Sequence, residues 1–445
     1  MNHQGLSWFG IFRLGLVQTA LGAVVVLTTS TFNRVMVVEL SLAAVLPGLL
    51  VAAHYAIQIM RPRFGHGSDQ GGRRTPWIIG GVGVLGLGGT LAAAAIALAV
   101  TSTAAGLALS LIAYLMIGAG VGAAGTSLLV LLAEKVSPAR RAAAATITWI
   151  MMIVGFIVTT GIVGSLLDPF SMSKLVSLTA SVGLIALVVT TLAIGNIENA
   201  SAVQTPGRAA QAPEAGSFKR ALREVLSERK TRRFGLFVFL SMLAYSAQDL
   251  LLEPFAGALF GYTPGDSTQL GGIQHSGVLL GMLLVALIGS GLAKGRQGPL
   301  RACMIGGCIG SACMLLALAA AAYAPSTWPL TANVFGLGLA NGMFAVAAIG
   351  SMMTLVSSGH ENRDGVRMGV WGAAQAVAFG LGGILGTGTV DLAMWWFSNT
   401  TLAYALAFIL QASLFLGATL MAISLGREAA DKLREEPQTL NSMAS

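Results

Sequence analysis

The stretch WIIGGVGVLGLGGTLAAAAIALAV, residues 77–100, runs without a single charged side chain. About 20 apolar residues suffice to carry a helix across the hydrocarbon core of a bilayer. This block is longer than that, as is GLALSLIAYLMIGAGVGAAGTSLLVLLA, residues 106–133. Backbone groups surrounded by hydrocarbon must hydrogen-bond within their own segment, so blocks of this kind become helices. The same pattern predicts twelve spans: 7–31, 42–60, 77–100, 106–133, 143–167, 175–196, 234–256, 271–293, 301–323, 329–356, 366–390 and 401–425. Charged residues make up only 10% of the chain, against roughly 25% in soluble proteins. The fold class that follows is an all-α polytopic membrane protein. Arg13 within the first span, with no basic leader segment and no small-residue cleavage site, predicts a retained helix and not a signal peptide.

Charge predicts the orientation. With both termini cytoplasmic, every Lys and Arg except Arg13, Arg34 and Lys174 falls in a cytoplasmic loop, the central linker or the C-terminal tail. This is the asymmetry of the positive-inside rule. Trp8, Trp77, Trp149 and Trp371 fall near the inner interface, and Trp328, Trp395 and Trp396 near the outer one. The net charge of +8 therefore reports topology and contact with anionic lipids, with no implication of nucleic acid. Cys303, Cys308 and Cys313 lie five apart in the ninth span. Five helical residues turn about 140°, so the three share no face and make no metal site.

The chain divides into an N-terminal six-helix bundle (1–196), a cytoplasmic linker (197–233), a C-terminal six-helix bundle (234–425) and a cytoplasmic tail (426–445). The linker opens with the polar, proline-containing ENASAVQTPGRAAQAPEAG and continues as SFKRALREVLSERKTRRF. Phe218, Leu222, Val225 and Leu226 form one helical stripe beneath a basic face, the pattern of a helix lying on a membrane surface. Docking of a partner protein is the alternative. Six spans, a linker and six spans resembles the layout of the major facilitator superfamily. The loop between spans two and three, GHGSDQGGRR (65–74), resembles that superfamily's signature through Gly65, Asp69, Gly72, Arg73 and Arg74. It departs at Gln70, which stands for a basic residue, and at the extra Gly71. Asp69 is suited to cap the following helix or to pair with an arginine of the opposite half. Glycine-rich runs at 118–125, 336–342 and 379–388 predict close helix contacts.

Ionisable and amide side chains within spans are costly there and mark candidate sites. His54 and Gln58 stand four apart on the second span, hence on one face. Gln248, Asp249 and Glu253 lie on the seventh, where Pro254 should kink or end the helix. Gln274 and His275 open the eighth, and Arg34 and Glu39 form a candidate ion pair at the outer surface between spans one and two. Each has a structural alternative: His54 as a hydrogen bond between helices, Asp249 and Glu253 as a latch with Arg34, His275 as an interfacial residue.

Four longer stretches resemble the PucC/LhaA family: FNRVMVVEL (32–40), RPRFGHGSDQGGRRTPW (61–77), AQDLLLEPFAGALFGYTPGDSTQLGGIQH (247–275) and WGAAQAVAFGLGGILG (371–386). That resemblance implies a transporter-like fold in the cytoplasmic or intracytoplasmic photosynthetic membrane of a bacterium. It implies a role in assembling light-harvesting complexes, with antenna polypeptides and bacteriochlorophyll, or the enzymes that make it, as partners. Bacteriochlorophyll is the one cofactor implied. Its magnesium takes an axial nitrogen, for which His54 and His275 are the candidates; Gln58, Gln248, Asp249, Glu253 and Gln274 complete the pigment- or substrate-binding set. A secondary transporter of a small or amphipathic solute is the competing reading. An enzyme is not expected, since no nucleophile triad, zinc motif, phosphate-cradling loop or paired Asp-rich loop occurs.

Overall fold

A computed structural model describes residues 5–61, 63–64, 68, 73–137, 140–198, 229–288, 297–357 and 364–442. Among these, ten helices are long and apolar enough to cross a membrane, eleven if a bent pair counts as one span; a shorter apolar helix, Val45–Met60, stands where the sequence predicts the second span. We label them α1 (Trp8–Glu39), α2 (Val45–Met60), α3 (Thr75–Ala99), α4 (Thr103–Lys135), α5 (Arg141–Leu167) and α6 (Met172–Ile194). The second set is α7 (Arg229–Asp249), α8 (Leu252–Phe260), α9 (Pro264–Leu287), α10 (Gln297–Ala321), α11 (Leu330–Ser357), α12 (Asp364–Phe397) and α13 (Thr400–Ser442).

Several boundaries move from the sequence expectation, each for a local reason. The first span continues past residue 31 to Glu39, because its turns widen and do not stop. Thr28 and Thr29 hydroxyls donate to the Val25 carbonyl at 2.7 and 3.2 Å and compete with the backbone for it. Wide turns follow over Leu27–Thr31 and Val35–Glu39. The eighth span begins at Pro264, not 271, because Thr263 and Asp266 form a reciprocal cap on its N-terminus, with Pro264 preset for the first turn. The last helix continues to Ser442, into the predicted tail. The amphipathic stripe at Phe218, Leu222, Val225 and Leu226 lies outside the described residues, as do Gly65, Asp69 and Gly72.

Within the first six spans, α3 packs on α4 and α6, and α1 on α5 and α6; within the second six, α9 and α10 pack on α11, and α7 on α12 and α13. Across the middle, α5 packs on α9 and α2 on α12. Glycine sets the closest of these contacts: a Cβ on Gly338 of α11 would collide with the Gln274 carbonyl of α9, and one on Gly86 of α3 would lie 3.2 Å from the Cα of Gly183 on α6. One core is built around Phe237, Phe255, Phe344, Phe408 and Phe415, and another around Leu21, Phe32, Leu85 and Tyr114. Ile153, Val278 and Met282 join the halves along the α5–α9 seam.

Candidate functional site

The seventh span is two helices, α7 and α8, bent by 40°. Proline explains the position of the break. Pro254 has no N–H to give the carbonyl four residues earlier, that of Leu250, and its ring crowds that carbonyl. The side-chain amide of Asn33 on α1 donates to the freed oxygen. The kink expected at Pro254 therefore lies on its N-terminal side. It separates Asp249 from Glu253, four residues on, and gives them different neighbours.

Glu253 is 2% exposed and accepts from the Ser30 hydroxyl of α1. Gly271 of α9 leaves room beside this pair: a Cβ there would lie 3.1 Å from Glu253 Oε1 and 3.5 Å from Ser30 Oγ. Asp249 accepts from Gln274 Nε2 at 3.5 Å. Gln274 and His275 do not open a helix; they lie three turns into α9. His275 Nδ1 is 2.7 Å from the Gly271 carbonyl. A carbonyl oxygen only accepts, so Nδ1 carries the proton and Nε2 keeps its lone pair. Phe156 of α5 meets the imidazole edge-on at 4.8 Å between centroids. Tyr55 of α2 and Tyr245 of α7 both stack against Phe379 of α12, at 5.4 and 5.9 Å. This belt of two carboxyls, an imidazole and aromatic rings lies where the halves meet.

His54 is arranged differently. Arg61 donates to Gln58 Oε1, which leaves the Gln58 amide nitrogen as a donor, and it lies 3.0 Å from His54 Nε2. Nε2 is thus the accepting nitrogen and is already engaged, while the buried Nδ1 has no hydrogen-bond partner. The ring packs within the N-terminal bundle, where the His54 carbonyl presses on Gly118 of α4. Of the two histidines, only His275 presents an uncommitted nitrogen lone pair. Gln248 is fully buried with neither amide atom hydrogen-bonded.

Arg34 and Glu39 pair at 2.5 Å, but on the last turns of α1 and not in a surface loop; the Arg34 side chain is 3% exposed. Arg34 also donates to the Tyr262 carbonyl at 2.8 Å, with its guanidinium beside Gly257 of α8. The anticipated latch between Arg34 and Asp249 or Glu253 is replaced by this carbonyl bond and by the Ser30–Glu253 bond.

At the end that bears the N-terminus, the first N–H groups of α3 are capped by Glu198; Asp69, the residue expected to cap this helix, lies outside the described residues. The Glu198 carboxylate accepts from Arg74 N at 2.5 Å and Thr75 N at 3.1 Å. Partial burial pushes this carboxyl up. Bonds from Thr75 and Arg74 and the charge of Arg73 outweigh that and hold it below its ordinary range. Arg74 donates to Ser68 at 2.7 Å and pairs with Glu134 at 2.9 Å.

The sequence reading missed Ser30, Asn33, Asp168, Asp391 and Glu198. Asp168 and Asp391 each stand one residue beyond a predicted span end, a place where a scarce acid is a signal for capping. Nothing in the order of residues marks Ser30 or Asn33, whose roles depend on the widened turns. Among the described residues, no three His, Cys, Asp or Glu side chains gather as a metal-holding group.

Solved structures place the architecture in a class. The chain is similar to a bacterial homolog of the human lysosomal transporter Spinster in its inward-facing, occupied conformation (TM-score 0.69, 14% identity, 94% of this chain and 96% of that one). It is likewise similar to a D-xylose–proton symporter (TM-score 0.66, 16% identity, 91% and 97%). The fold is that of the major facilitator superfamily, and the protein is a multi-pass membrane protein. The family model described as PUCC protein matches residues 31–430, and the chain belongs to that family. It is 51% identical over 421 residues to the "Bacteriochlorophyll synthase 44.5 kDa chain" of Rhodobacter capsulatus, covering 94% of this chain and 95% of the relative. It is 26% identical over 433 residues to "Protein PucC" of the same organism, covering 93% and 92%.

Proposed function

We propose that this protein is an assembly factor for light-harvesting complexes, which binds or delivers bacteriochlorophyll, chaperones antenna polypeptides in the membrane, or does both. Membership of the PUCC family and the near full-length similarity to a bacteriochlorophyll-named relative support the reading. The observation that carries it is the state of His275: a tautomer fixed by Gly271, a free Nε2 and a place in the belt between the halves. The donor set suits a magnesium tetrapyrrole. Imidazole is an apt axial ligand, and the Gln274 amide is a donor for a ring carbonyl; Asp249 would have to be protonated to donate. When bound, the pigment supplies the magnesium and the ring carbonyls; the chain supplies the nitrogen, the donors and a water-poor aromatic surround. In this reading the protein has no catalytic residue, and its remaining partners are pigment-synthesis enzymes and anionic lipids.

The fold keeps a second reading in play, a secondary transporter of a small or amphipathic solute. Deleting the gene from its host separates the proposals. An assembly factor predicts loss of antenna absorbance while free bacteriochlorophyll is still made. Intact antenna absorbance, together with ion-coupled uptake by the purified protein in proteoliposomes, would overturn the assembly reading in favour of transport.

A further inference from the structure

At the end remote from the N-terminus, two aspartates cross between the halves in the same way. Asp168, just past the end of α5, receives the Thr263 hydroxyl at 2.5 Å on Oδ2 and the Gly265 N–H at 3.3 Å on Oδ1. Asp391, near the end of α12, receives the Ala44 N–H at 2.9 Å on Oδ1 and the Val45 N–H at 2.7 Å on Oδ2. In each case the acid stands at the end of the fifth span of one half. In each case its two oxygens take the first donors of the second span of the other half. A helix N-terminus offers unpaired N–H groups and a partial positive charge, so a carboxylate is its natural cap. Usually such a cap comes from the same chain segment; here Asp391 caps α2 from the opposite half, and Asp168 adds a bond from the opposite half to the Thr263–Asp266 cap of α9. The seams beneath repeat the likeness. A Cβ at Gly265 would collide with the Asp168 carboxylate, and a Cβ at Gly48 with the Thr387 hydroxyl of α12.

We propose that Asp168 and Asp391 are twin latches that hold the remote end of the molecule shut. Releasing both lets the halves rock apart there, which opens the central belt to the remote side while the N-terminal end narrows. The latches sit on the two helix pairs that pack most extensively across the halves among the described residues, α5–α9 and α2–α12. Removing one cap frees a helix end without touching the Ser30–Glu253, Asn33–Leu250 or Arg34–Tyr262 bonds.

The test is a pair of distances in lipid nanodiscs, read by spin-label spectroscopy in a background with Cys303, Cys308 and Cys313 changed to alanine. One label pair spans the remote end (Thr103→Cys with Thr327→Cys); the other spans the N-terminal end (Ala143→Cys with Gly298→Cys). The variants are Asp168→Asn, Asp391→Asn and the two combined. The control is Asp266→Asn, which weakens the same α9 N-terminus through a cap confined to its own half. Losing a cap is expected to shift the closed-to-open ratio roughly 5-fold, and both together about 25-fold if the sites are independent. The expected result is a longer remote distance and a shorter distance at the N-terminal end, graded from single to double variant and absent in the control. Unchanged distances, lengthening at both ends, or an equal change with Asp266→Asn would overturn the proposal. Should the double variant fail to fold, the single variants carry the same test.

Discussion

The two ends of the molecule use their polar side chains in opposite ways. At the remote end the bonds cross between halves: Ser30 to Glu253, Asn33 to Leu250, Arg34 to Tyr262, Asp168 to Thr263 and Gly265, Asp391 to Ala44 and Val45. Among the described residues of the N-terminal end, the following bonds stay within a half. Glu198 caps α3, Arg13 donates to the Ala193 carbonyl at 2.9 Å, and Arg301 donates to the Ile423 carbonyl at 2.8 Å. Among the described residues, then, the polar bonds that attach one bundle to the other gather toward the remote end.

Substitutions can break that separation or sharpen it. The largest expected effect is from Glu39→Gln, which leaves the Arg34 guanidinium buried without its counter-charge. A fully buried pair would cost 3–5 kcal/mol when broken. Glu39 is 34% exposed, so about 2 kcal/mol is expected, visible as a lower thermal midpoint in detergent. Asn33→Leu comes next. It strands the Leu250 carbonyl at the α7–α8 break, and an orphaned buried acceptor costs about 1–3 kcal/mol. This change should also increase the distance between halves at the remote end. Ser30→Ala should cost about 1 kcal/mol and remove the Ser30 hydroxyl that donates to Glu253.

Glu198→Gln is the smallest, within about 1 kcal/mol, because the cap is partly solvated. Its pH dependence has a definite sign. The Glu198 carboxyl is held below its ordinary value of 4.5, so its contribution is present above that pH and is lost as pH falls through the lowered value. The thermal midpoints of parent and variant should therefore differ at neutral pH and converge in acid. If Glu198→Gln moved the halves apart as far as Asn33→Leu does, the division between the two ends would be wrong.

The spans were legible because apolar blocks admit little but helix in a membrane, and the two-bundle superfamily fold was read from their count and the linker. Boundaries failed where side chains compete with the backbone. Thr28 and Thr29 carry α1 through to Glu39, which placed Arg34 in the wrong setting, and the Thr263–Asp266 cap starts α9 seven residues early. The pair His54–Gln58 could be read from a spacing of four. That His54 is committed and His275 is not depends on hydrogen bonds to Gln58 and Gly271, which residue order alone does not reveal. Crossing contacts such as Asn33 to Leu250 were out of reach, since nothing local pairs positions so far apart.

The proposed function rests on a pigment held through His275. The direct measurement is the absorbance of bacteriochlorophyll co-purifying with the protein from its host, compared among wild type, His275→Ala and His54→Ala. The account predicts pigment with wild type and His54→Ala and its loss with His275→Ala. Equal pigment in all three would contradict it.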